Sequence, residues 1–246
     1  METSTRSAPG RSARKPPLPT DIAPLGAPLL ILNLKTYPNC LGDGARTIAA
    51  TLEKLGRAAG VSTAIAPAFP DLARVAAEVP IPVLAQHVDP VDPGARTGSI
   101  PAESVQASGA RGSLLNHSEH PQLGPDLETA AQRLEALGLV AVICAGTIDQ
   151  ARNVAALEPA YLAIEPPELI GGKRAVSTAR PEVVSGTVEA VRRVAPATRV
   201  LCGAGVHDRG DVRRAIELGS AGVLVASAVA RAPDPRAAIA ELLAGF

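Results

Sequence analysis

The sequence predicts an α/β fold in which eight parallel strands, each followed by a helix, close into a single-domain (β/α)8 barrel. Short aliphatic runs alternate with longer amphipathic stretches from residue 29 to residue 246. The chain has 246 residues, and a barrel of this kind typically has about 250. Hydrophobic residues make up 46% of the chain and aromatic residues only 2%, so the core must be aliphatic, as in a helix-covered parallel sheet.

Eight aliphatic runs are the candidate strands. In chain order they cover residues 29–34, 63–66, 83–86, 113–115, 139–144, 161–164, 199–202 and 222–226. Eight strand–helix units favour a closed barrel over a doubly wound open sheet, which usually has about five or six strands. The nearest match to a dinucleotide-binding fingerprint, Gly203-Ala204-Gly205, comes too late in the chain to open such a domain.

Between these runs, apolar side chains recur at helical spacing and mark the helix faces that would cover the strands. The stripes are Ile48, Leu52 and Leu55; Leu127, Ala130, Ala131, Leu134 and Leu137; Val184, Val188 and Val191; Val212, Ala215 and Ile216; and Ile239, Leu242 and Leu243. Weaker helical patterns at 70–77, 101–108 and 147–157 follow the second, third and fifth runs.

Residues 1–28 differ in composition from the rest of the chain. They are rich in Pro, Ser, Thr and Arg and poor in large apolar residues. We expect a disordered N-terminal tail here, which leaves 29–246 as the barrel domain. An organelle transit peptide is the alternative, whereas the apolar segment of a secretory signal is missing.

Composition excludes several function classes. The 24 basic and 24 acidic residues balance, and the chain has no Trp, so a nucleic-acid partner is not expected. No run of 18 apolar residues suggests a membrane span. The three cysteines, Cys40, Cys144 and Cys202, are odd in number and form no CxxC pair. A disulfide framework is therefore not expected, and we predict a soluble, reduced, cytoplasmic protein.

Polar residues directly after the candidate strands form the candidate site, because a barrel assembles its catalytic groups where its strands end. Glu165 follows the sixth run and precedes two prolines. Beneath a closing loop its carboxyl would lose water, which raises the pKa and makes the group a better base. A salt-bridged glutamate at a strand end is the alternative.

His117 follows the fourth run, and we expect a short helix to begin beside it, with Ser118 or Asn116 as the N-cap. A helix N-terminus would keep the imidazole neutral, so that it could donate a hydrogen bond to a substrate carbonyl. The alternative is a structural histidine that is hydrogen-bonded within the fold.

Asn33 and Lys35 follow the first run, where the interior of a barrel opens. A lysine in that place is costly unless it meets an anion. A substrate phosphate would supply one, and so would the carboxylate of Glu119.

Small residues follow the last two runs: Gly203, Ala204 and Gly205 after the seventh, and Ala226 and Ser227 after the eighth. These two loops commonly form the phosphate site of a barrel. Small side chains allow backbone N–H groups to approach a phosphate closely. Tight turns without a ligand are the alternative.

Two segments, 88–100 and 166–177, are too long and too polar to be simple connections. Segments of this kind in a compact domain are usually functional or interfacial. Both follow a strand, so we expect both on the C-terminal face of the barrel.

Metal binding has little support in the sequence. His87 and Asp89 could supply two ligands, but no third partner lies at a suitable spacing, so we predict no metal site. Cys144 and Cys202 are expected to be buried in the barrel. His120 and His207 are expected to be exposed loop residues.

Three segments together resemble the signature regions of the triosephosphate isomerase family, in its compact archaeal form. They are Asn33-Leu34-Lys35-Thr36-Tyr37, Leu115-Asn116-His117-Ser118-Glu119 and Ile164-Glu165-Pro166-Pro167-Glu168-Leu169-Ile170-Gly171. The similarity runs in order from about residue 29 to residue 246. It implies a TIM barrel that interconverts dihydroxyacetone phosphate and glyceraldehyde 3-phosphate, a step of glycolysis and gluconeogenesis.

The resemblance also implies roles for the site residues. Glu165 would be the base and His117 the neutral electrophile that polarises the carbonyl. Asn33 and Lys35 would hold the substrate, a small phosphorylated sugar, and Glu119 would orient Lys35. No cofactor or metal is implied. Residues 88–100 resemble the protruding interface loop of the family, so a homodimer or homotetramer is expected.

Residues 166–177 resemble the lid of the family and are called the lid segment below. The tip of that lid usually reads Ile-Gly-Thr-Gly, but here the sequence is Ile170-Gly171-Gly172-Lys173-Arg174. Gly171 can still offer its N–H to a phosphate, whereas the threonine is lost and two cations arrive. In the loops after the last two strands, Gly205 and the pair Ala226-Ser227 also depart from the common form of the family.

Three hypotheses therefore stand at this point. The first is a triosephosphate isomerase. The second is a related isomerase that acts on another small sugar phosphate, such as a tetrose phosphate, for which the altered lid tip gives some support. The third is a barrel that binds a sugar phosphate without catalysis.

Overall fold

The computed structural model describes residues 25–122, 124–172 and 174–246. Its strands form one parallel sheet, and a bridge between Ile65 and Val83 joins the two ends of that sheet. The strands are β1 (Leu29–Asn33), β2 (Ser62–Ala66), β3 (Leu84–Ala85), β4 (Gly112–Leu115), β5 (Val140–Ala145), β6 (Tyr161–Ile164), β7 (Arg199–Cys202) and β8 (Gly222–Val225). Their order is β2-β1-β8-β7-β6-β5-β4-β3, which confirms the predicted (β/α)8 TIM barrel.

The predicted strands agree with this sheet except at their ends. The largest difference is β3, which has two residues instead of the predicted 83–86. Pro80 and Pro82 precede it, and proline has no N–H to give to a ladder.

All the helices predicted from apolar stripes are present, whereas the short helix expected beside His117 is not. The described residues form α1 (Asp43–Ala59), α2 (Phe69–Glu78), α3 (Ala102–Ala107), α4 (Pro125–Ala136), α5 (Ile148–Ala155), α6 (Val176–Ala179), α7 (Pro181–Val194), α8 (Arg209–Glu217), α9 (Ser227–Ala230) and α10 (Pro235–Leu243). The short helices α6 and α9, and two 3-10 turns at Pro38–Cys40 and Pro167–Leu169, have no apolar stripe that would predict them.

Two apolar cores follow from the alternation of side chains along the strands. Leu29 and Ile31 of β1 point into the barrel interior, whereas Leu30 and Leu32 pack against the surrounding helices. Tyr161 and Ala163 of β6, and Leu201 of β7, also belong to the interior core. Because the side-chain period of a strand is two, the next inward positions are Asn33, Glu165 and Gly203, at the C-terminal mouth of the barrel.

The opposite end of the barrel is closed by residues that precede β1. The carbonyl oxygen of Gly26 accepts hydrogen bonds from the Tyr161 hydroxyl at 2.8 Å and from Arg199 Nη1 at 3.2 Å. Leu25 is buried beside them. Residues 25–28 of the predicted tail therefore contact the base of the barrel. Residues 1–24 lie outside the described residues, and the tail of 1–28 stays a prediction.

Two further sequence expectations concern bulk properties. Cys40, Cys144 and Cys202 are all buried free thiols, as expected for Cys144 and Cys202. Within the described ranges, no helix has the length and apolar character needed to cross a membrane.

Candidate active site

A cavity opens at the carboxyl ends of the strands. It brings together most of the predicted site residues: Asn33, Lys35, His117, Glu165, Gly171, Gly203, Gly205, Ala226 and Ser227. Five lining residues were not predicted to take part: Tyr37, Ile170, Val206, Leu224 and Val225. Leu224 follows the inward period of β8 and could have been found from that pattern. Glu119 and Ala204 do not line the cavity. Glu119 contacts Lys35, and Ala204 contacts Val176 of the lid segment.

Glu165 lies at the floor of the cavity with 4% of its surface exposed. Its N–H donates to the carbonyl oxygen of Ala145 at 2.8 Å, which extends the ladder between β5 and β6. Among the described residues, its Oε2 has no hydrogen-bond partner. Burial raises the pKa of this carboxyl from 4.5 to about 7, while a hydrogen bond from the Cys144 thiol and the charge of Lys35 act in the opposite direction. The raised pKa is the one that the sequence argument expected for a desolvated carboxyl, and the role of Glu165 as a base stays a prediction.

Gly203 leaves the space that Glu165 occupies. A Cβ at this position would lie 2.4 Å from the Glu165 Cγ and 2.7 Å from its Oε1. Contacts that short do not occur between real atoms, so any larger residue would displace the carboxylate. The sequence argument assigned Gly203 to phosphate binding. The structure adds that this glycine leaves room for the Glu165 carboxylate.

His117 is held in one neutral tautomer. The backbone N–H of Glu119 donates to its Nδ1 at 3.1 Å, so Nδ1 carries the lone pair and Nε2 carries the hydrogen. That Nε2 is 3.8 Å from the Glu165 Oε2. Burial lowers the pKa of the imidazole, and the charge of Lys35 lowers it further, while Glu119 raises it to a smaller extent.

The helix expected beside His117 is absent, and this part of the sequence argument was wrong. Residues 118–120 form a turn closed by the His120 N–H and the His117 carbonyl oxygen at 2.8 Å, and the next helix, α4, begins at Pro125. Pro121 follows the turn and disfavours helical geometry for the residue before it. The imidazole is therefore kept neutral by burial, by Lys35 and by one backbone N–H, without a helix dipole.

Asn116 does not act as the expected cap. It has a left-handed φ of 55°. Its side-chain Nδ2 donates to the carbonyl oxygen of Cys144 at 2.9 Å, and its Oδ1 accepts from the N–H of Gln122 at 2.9 Å. The Asn116 side chain thus joins the end of β4 both to β5 and to Gln122, which lies beyond the turn that follows His117.

Lys35 is fixed at both its main chain and its ammonium group. Its Nζ is 2.7 Å from the Glu119 Oε1, as the sequence allowed. Its N–H donates to the Asn33 Oδ1 at 3.0 Å, which supports a left-handed φ of 49°. Its carbonyl oxygen accepts from the Gln86 Nε2 at 3.0 Å, and the same Nε2 donates to Ala66. Gln86 thus holds the main chain of Lys35 beside β2. The sequence did not reveal this contact, because Lys35 and Ala66 belong to other segments of the chain.

The lid segment rests on the loop between β7 and α8. The Val176 N–H donates to the carbonyl oxygen of Ala204 at 3.0 Å. Gly205 has a left-handed φ of 68°, and a Cβ there would lie 2.2 Å from the carbonyl oxygen of Arg174. At the tip, Gly171 has a φ of 66° and lines the cavity. Lys173, whose charge was noted in the sequence, lies outside the described residues.

The two histidines expected to be exposed differ. His120 is exposed, and its ring centroid lies 3.7 Å from that of His87. His207 is half-buried, and its Nε2 is 2.7 Å from the carbonyl oxygen of Gly172 in the lid segment. That expectation was wrong for His207, because its neighbour in space belongs to a distant loop.

The two residues considered as metal ligands, His87 and Asp89, form a hydrogen-bonded pair. His87 Nε2 and Asp89 Oδ1 are 2.9 Å apart, and Asp89 Oδ2 accepts the N–H of Ile100 at 2.7 Å. Across the part of the chain that the structure describes, no three His, Cys, Asp or Glu side chains are grouped to hold a metal ion.

Known proteins with similar sequences belong to a single family. A sequence profile of the triosephosphate isomerase family matches residues 28–243. A protein named triosephosphate isomerase from Caldivirga maquilingensis is 48% identical over 215 residues, which cover 87% of this chain and 96% of that protein. Proteins of the same name from Methanosarcina acetivorans and Methanocaldococcus jannaschii are each 44% identical, over 89% and 87% of this chain and over 99% and 98% of their own lengths.

Proposed function

The chain belongs to the triosephosphate isomerase family, and from that premise we propose that it interconverts dihydroxyacetone phosphate and D-glyceraldehyde 3-phosphate through an enediolate. One observation supports this reaction most strongly. A buried carboxyl with a pKa of about 7, Glu165, faces the neutral N–H of His117 across 3.8 Å in one cavity. A base and a hydrogen-bond donor in that arrangement suit proton transfer next to a carbonyl group.

In this proposal Glu165 removes a proton from the hydroxymethyl carbon of dihydroxyacetone phosphate. The C–H electron pair forms the carbon–carbon double bond, and negative charge moves to the carbonyl oxygen. The Nε2–H of His117 and the ammonium of Lys35 stabilise that charge. Glu165 then returns the proton to the neighbouring carbon, and a hydroxyl proton moves between the two oxygens, so the aldose forms with no net gain or loss of atoms.

We further propose that the phosphate lies against Gly171 and the loops that contain Gly203, Ala204, Gly205, Ala226 and Ser227. The helix α9 begins at Ser227, which lines the cavity. The first N–H groups of a helix have no partner within the helix and can donate to an anion. Asn33 would contact the substrate beside Lys35, and Glu119 would orient the ammonium.

The decisive experiment is a coupled assay of the full chain on glyceraldehyde 3-phosphate, in parallel with tetrose phosphates. A kcat/KM near the diffusional ceiling of about 10⁸ M⁻¹s⁻¹ for the triose is expected. A better rate on a tetrose phosphate would favour the related isomerase. Binding of either sugar phosphate without turnover would favour the non-catalytic barrel.

Glu165→Asp tests the role of the base in the same assay. A shift of about 1 Å in a reacting group can cost roughly 100-fold in rate, so kcat should fall by about that factor with a smaller change in KM. Glu217→Asp, an exposed carboxylate on α8, is the matched control. Unchanged turnover in Glu165→Asp would remove Glu165 from the mechanism.

We also propose a homodimer or homotetramer that functions in the cytoplasm, as the family implies. Residues 92–98 are exposed along their whole length. They belong to the segment 88–100. Arg133 of α4 pairs with Asp92 in this segment and with Glu103 of α3. Light scattering of the purified full chain should give a dimer or tetramer mass, and a monomer at micromolar concentration would contradict the assembly.

A further inference from the structure

His207 connects the loop after β7 to the tip of the lid segment. Its Nε2 is 2.7 Å from the carbonyl oxygen of Gly172. Because a carbonyl oxygen can only accept, Nε2 must carry the hydrogen, either in the neutral ring or in the imidazolium. We propose that His207 is a latch that holds the lid segment over the cavity, and so is a positioning residue for the reaction proposed above.

Hydrogen bonds at the start of α8 hold the backbone of His207 in place. The backbone N–H of His207 donates to the Asp211 Oδ2 at 3.0 Å. Asp208 caps α8, and its Oδ1 accepts the N–H of Asp211 at 3.0 Å. The first turn of α8 therefore fixes the main chain of His207, and only its ring spans the gap to the lid segment.

Other contacts hold the lid segment near its ends. Glu168 pairs with Arg180 at the N-terminus of α7. At the other end, the Ser177 hydroxyl donates to the Asp211 carbonyl oxygen at 3.2 Å. Just past that end, the Thr178 hydroxyl donates to the Asp211 Oδ1 at 3.2 Å. These contacts would keep both ends in place if the tip moved.

The tip depends on His207. Gly172 donates its own N–H only to Leu169, within the lid segment, at 3.1 Å. Among the described residues, His207 makes the one hydrogen bond from the barrel to Gly171 or Gly172. Since Gly171 lines the cavity, release of the tip would open the cavity to water and move an N–H donor away from the substrate.

Two substitutions separate the hydrogen bond from the bulk of the ring. His207→Phe keeps a ring but removes the donor, whereas His207→Gln keeps an N–H donor at a similar reach. Arg213→Ala, an exposed change on α8, is the control. We expect His207→Phe to raise KM for glyceraldehyde 3-phosphate about 2- to 10-fold with a smaller change in kcat, the range for one net hydrogen bond. His207→Gln and Arg213→Ala should stay near the unmodified protein.

A second measurement needs no catalysis. The lid tip contains Lys173-Arg174, a trypsin site, in the sequence. Cleavage there, followed by mass spectrometry of the fragments, reports the fraction of molecules in which the lid segment is open. Cleavage of His207→Phe should be about 2- to 10-fold faster than that of the unmodified protein, and His207→Gln should restore the slow rate.

The outcomes separate the latch from the proposed function. Faster cleavage in His207→Phe with rescue by His207→Gln supports the latch even in a protein without isomerase activity. Equal cleavage rates in the three proteins overturn it, whatever happens to KM. Faster cleavage in His207→Gln and His207→Phe alike also overturns it, because ring shape and not the hydrogen bond would then hold the lid segment.

Discussion

At Glu165, the burial that suits a base also makes the folded protein less stable at neutral pH. Burial raises its pKa from 4.5 to about 7. The folded state then binds a proton more tightly than the unfolded chain does, so stability falls as pH rises from about 4.5 through 7. Above pH 7 the full cost remains, because the buried carboxylate is charged and its Oε2 lacks a hydrogen-bond partner within the described residues.

Glu165→Gln should therefore stabilise the protein in a pH-dependent way. A shift from 4.5 to about 7 corresponds to a cost of about 1 kcal/mol at pH 5 and about 3 kcal/mol at pH 8. The variant's advantage in free energy of unfolding should grow accordingly between these pH values. Urea unfolding of both proteins at each pH measures it, and an advantage that stays constant with pH would contradict the raised pKa.

Gly203 tests whether the space beside Glu165 is needed for catalysis. In Gly203→Ala the new Cβ would lie 2.4 Å from the Glu165 Cγ, so the carboxylate must move. We expect kcat to fall by about 100-fold or more. Gly210→Ala is the control, since its Cβ would meet only the side chain of Asp208, at 3.1 Å. A Gly203→Ala variant with normal kcat would show that the carboxylate can move without loss.

At the scale of elements, the site depends on how two loops meet. The lid segment follows β6 and rests on the loop after β7, where Gly205 lies against the backbone of Arg174. Neither loop has an apolar stripe or a strand alternation. The Val176 N–H joins the two loops through its hydrogen bond to the Ala204 carbonyl oxygen.

Gly205→Ala separates backbone strain from this contact when it is compared with Gly60→Ala. Both glycines are left-handed, with φ of 68° and 67°, but a Cβ at Gly60 meets nothing within 4 Å. Each variant should lose about 1 kcal/mol of stability from the φ alone. Only Gly205→Ala should also lower kcat/KM, by about tenfold or more, because it pushes the lid segment away. Thermal unfolding and the coupled assay measure both effects, and equal activity in the two variants would contradict the contact.

At the scale of the whole molecule, stability and chemistry lie at opposite ends of the barrel. At the N-terminal end of the strands, the Tyr161 hydroxyl and the Arg199 Nη1 both bond to the carbonyl oxygen of Gly26. The Arg199 Nη1 is also 3.1 Å from the Tyr161 hydroxyl. The mouth contains the cavity with Glu165 and His117. The strands between the two ends are buried and mostly aliphatic. A substitution that removes a hydrogen bond at one end can therefore leave the structure of the other end unchanged.

Tyr161→Phe should lower stability without affecting turnover. The change removes the hydroxyl that bonds to Gly26 and Arg199, and the expected loss in free energy of unfolding is about 1–2 kcal/mol. Tyr37→Phe, at the mouth, is the control, and should leave stability unchanged. Chemical denaturation and kcat/KM measure the two variants. A large fall in kcat/KM for Tyr161→Phe would show that the ends are coupled.

The sequence by itself determined the barrel and most of the residues at its mouth. The barrel follows from eight short aliphatic runs that alternate with amphipathic stretches, because strands buried on both faces are continuous aliphatic runs. Asn33 and Glu165 were found as polar residues at the ends of the first and sixth runs. The amphipathic stripes likewise predicted the long helices, because the residues that form one face of a helix lie within a single short stretch of the sequence.

Only the tertiary structure decided how these residues are tuned. His117 is neutral because of burial, Lys35 and the Glu119 N–H, and not because of a helix that its own sequence suggested. The space for Glu165 comes from Gly203, and the hold on Gly172 comes from His207. Each of these effects depends on an interatomic distance between loops that are far apart in the chain, and local sequence patterns contain no information about such distances.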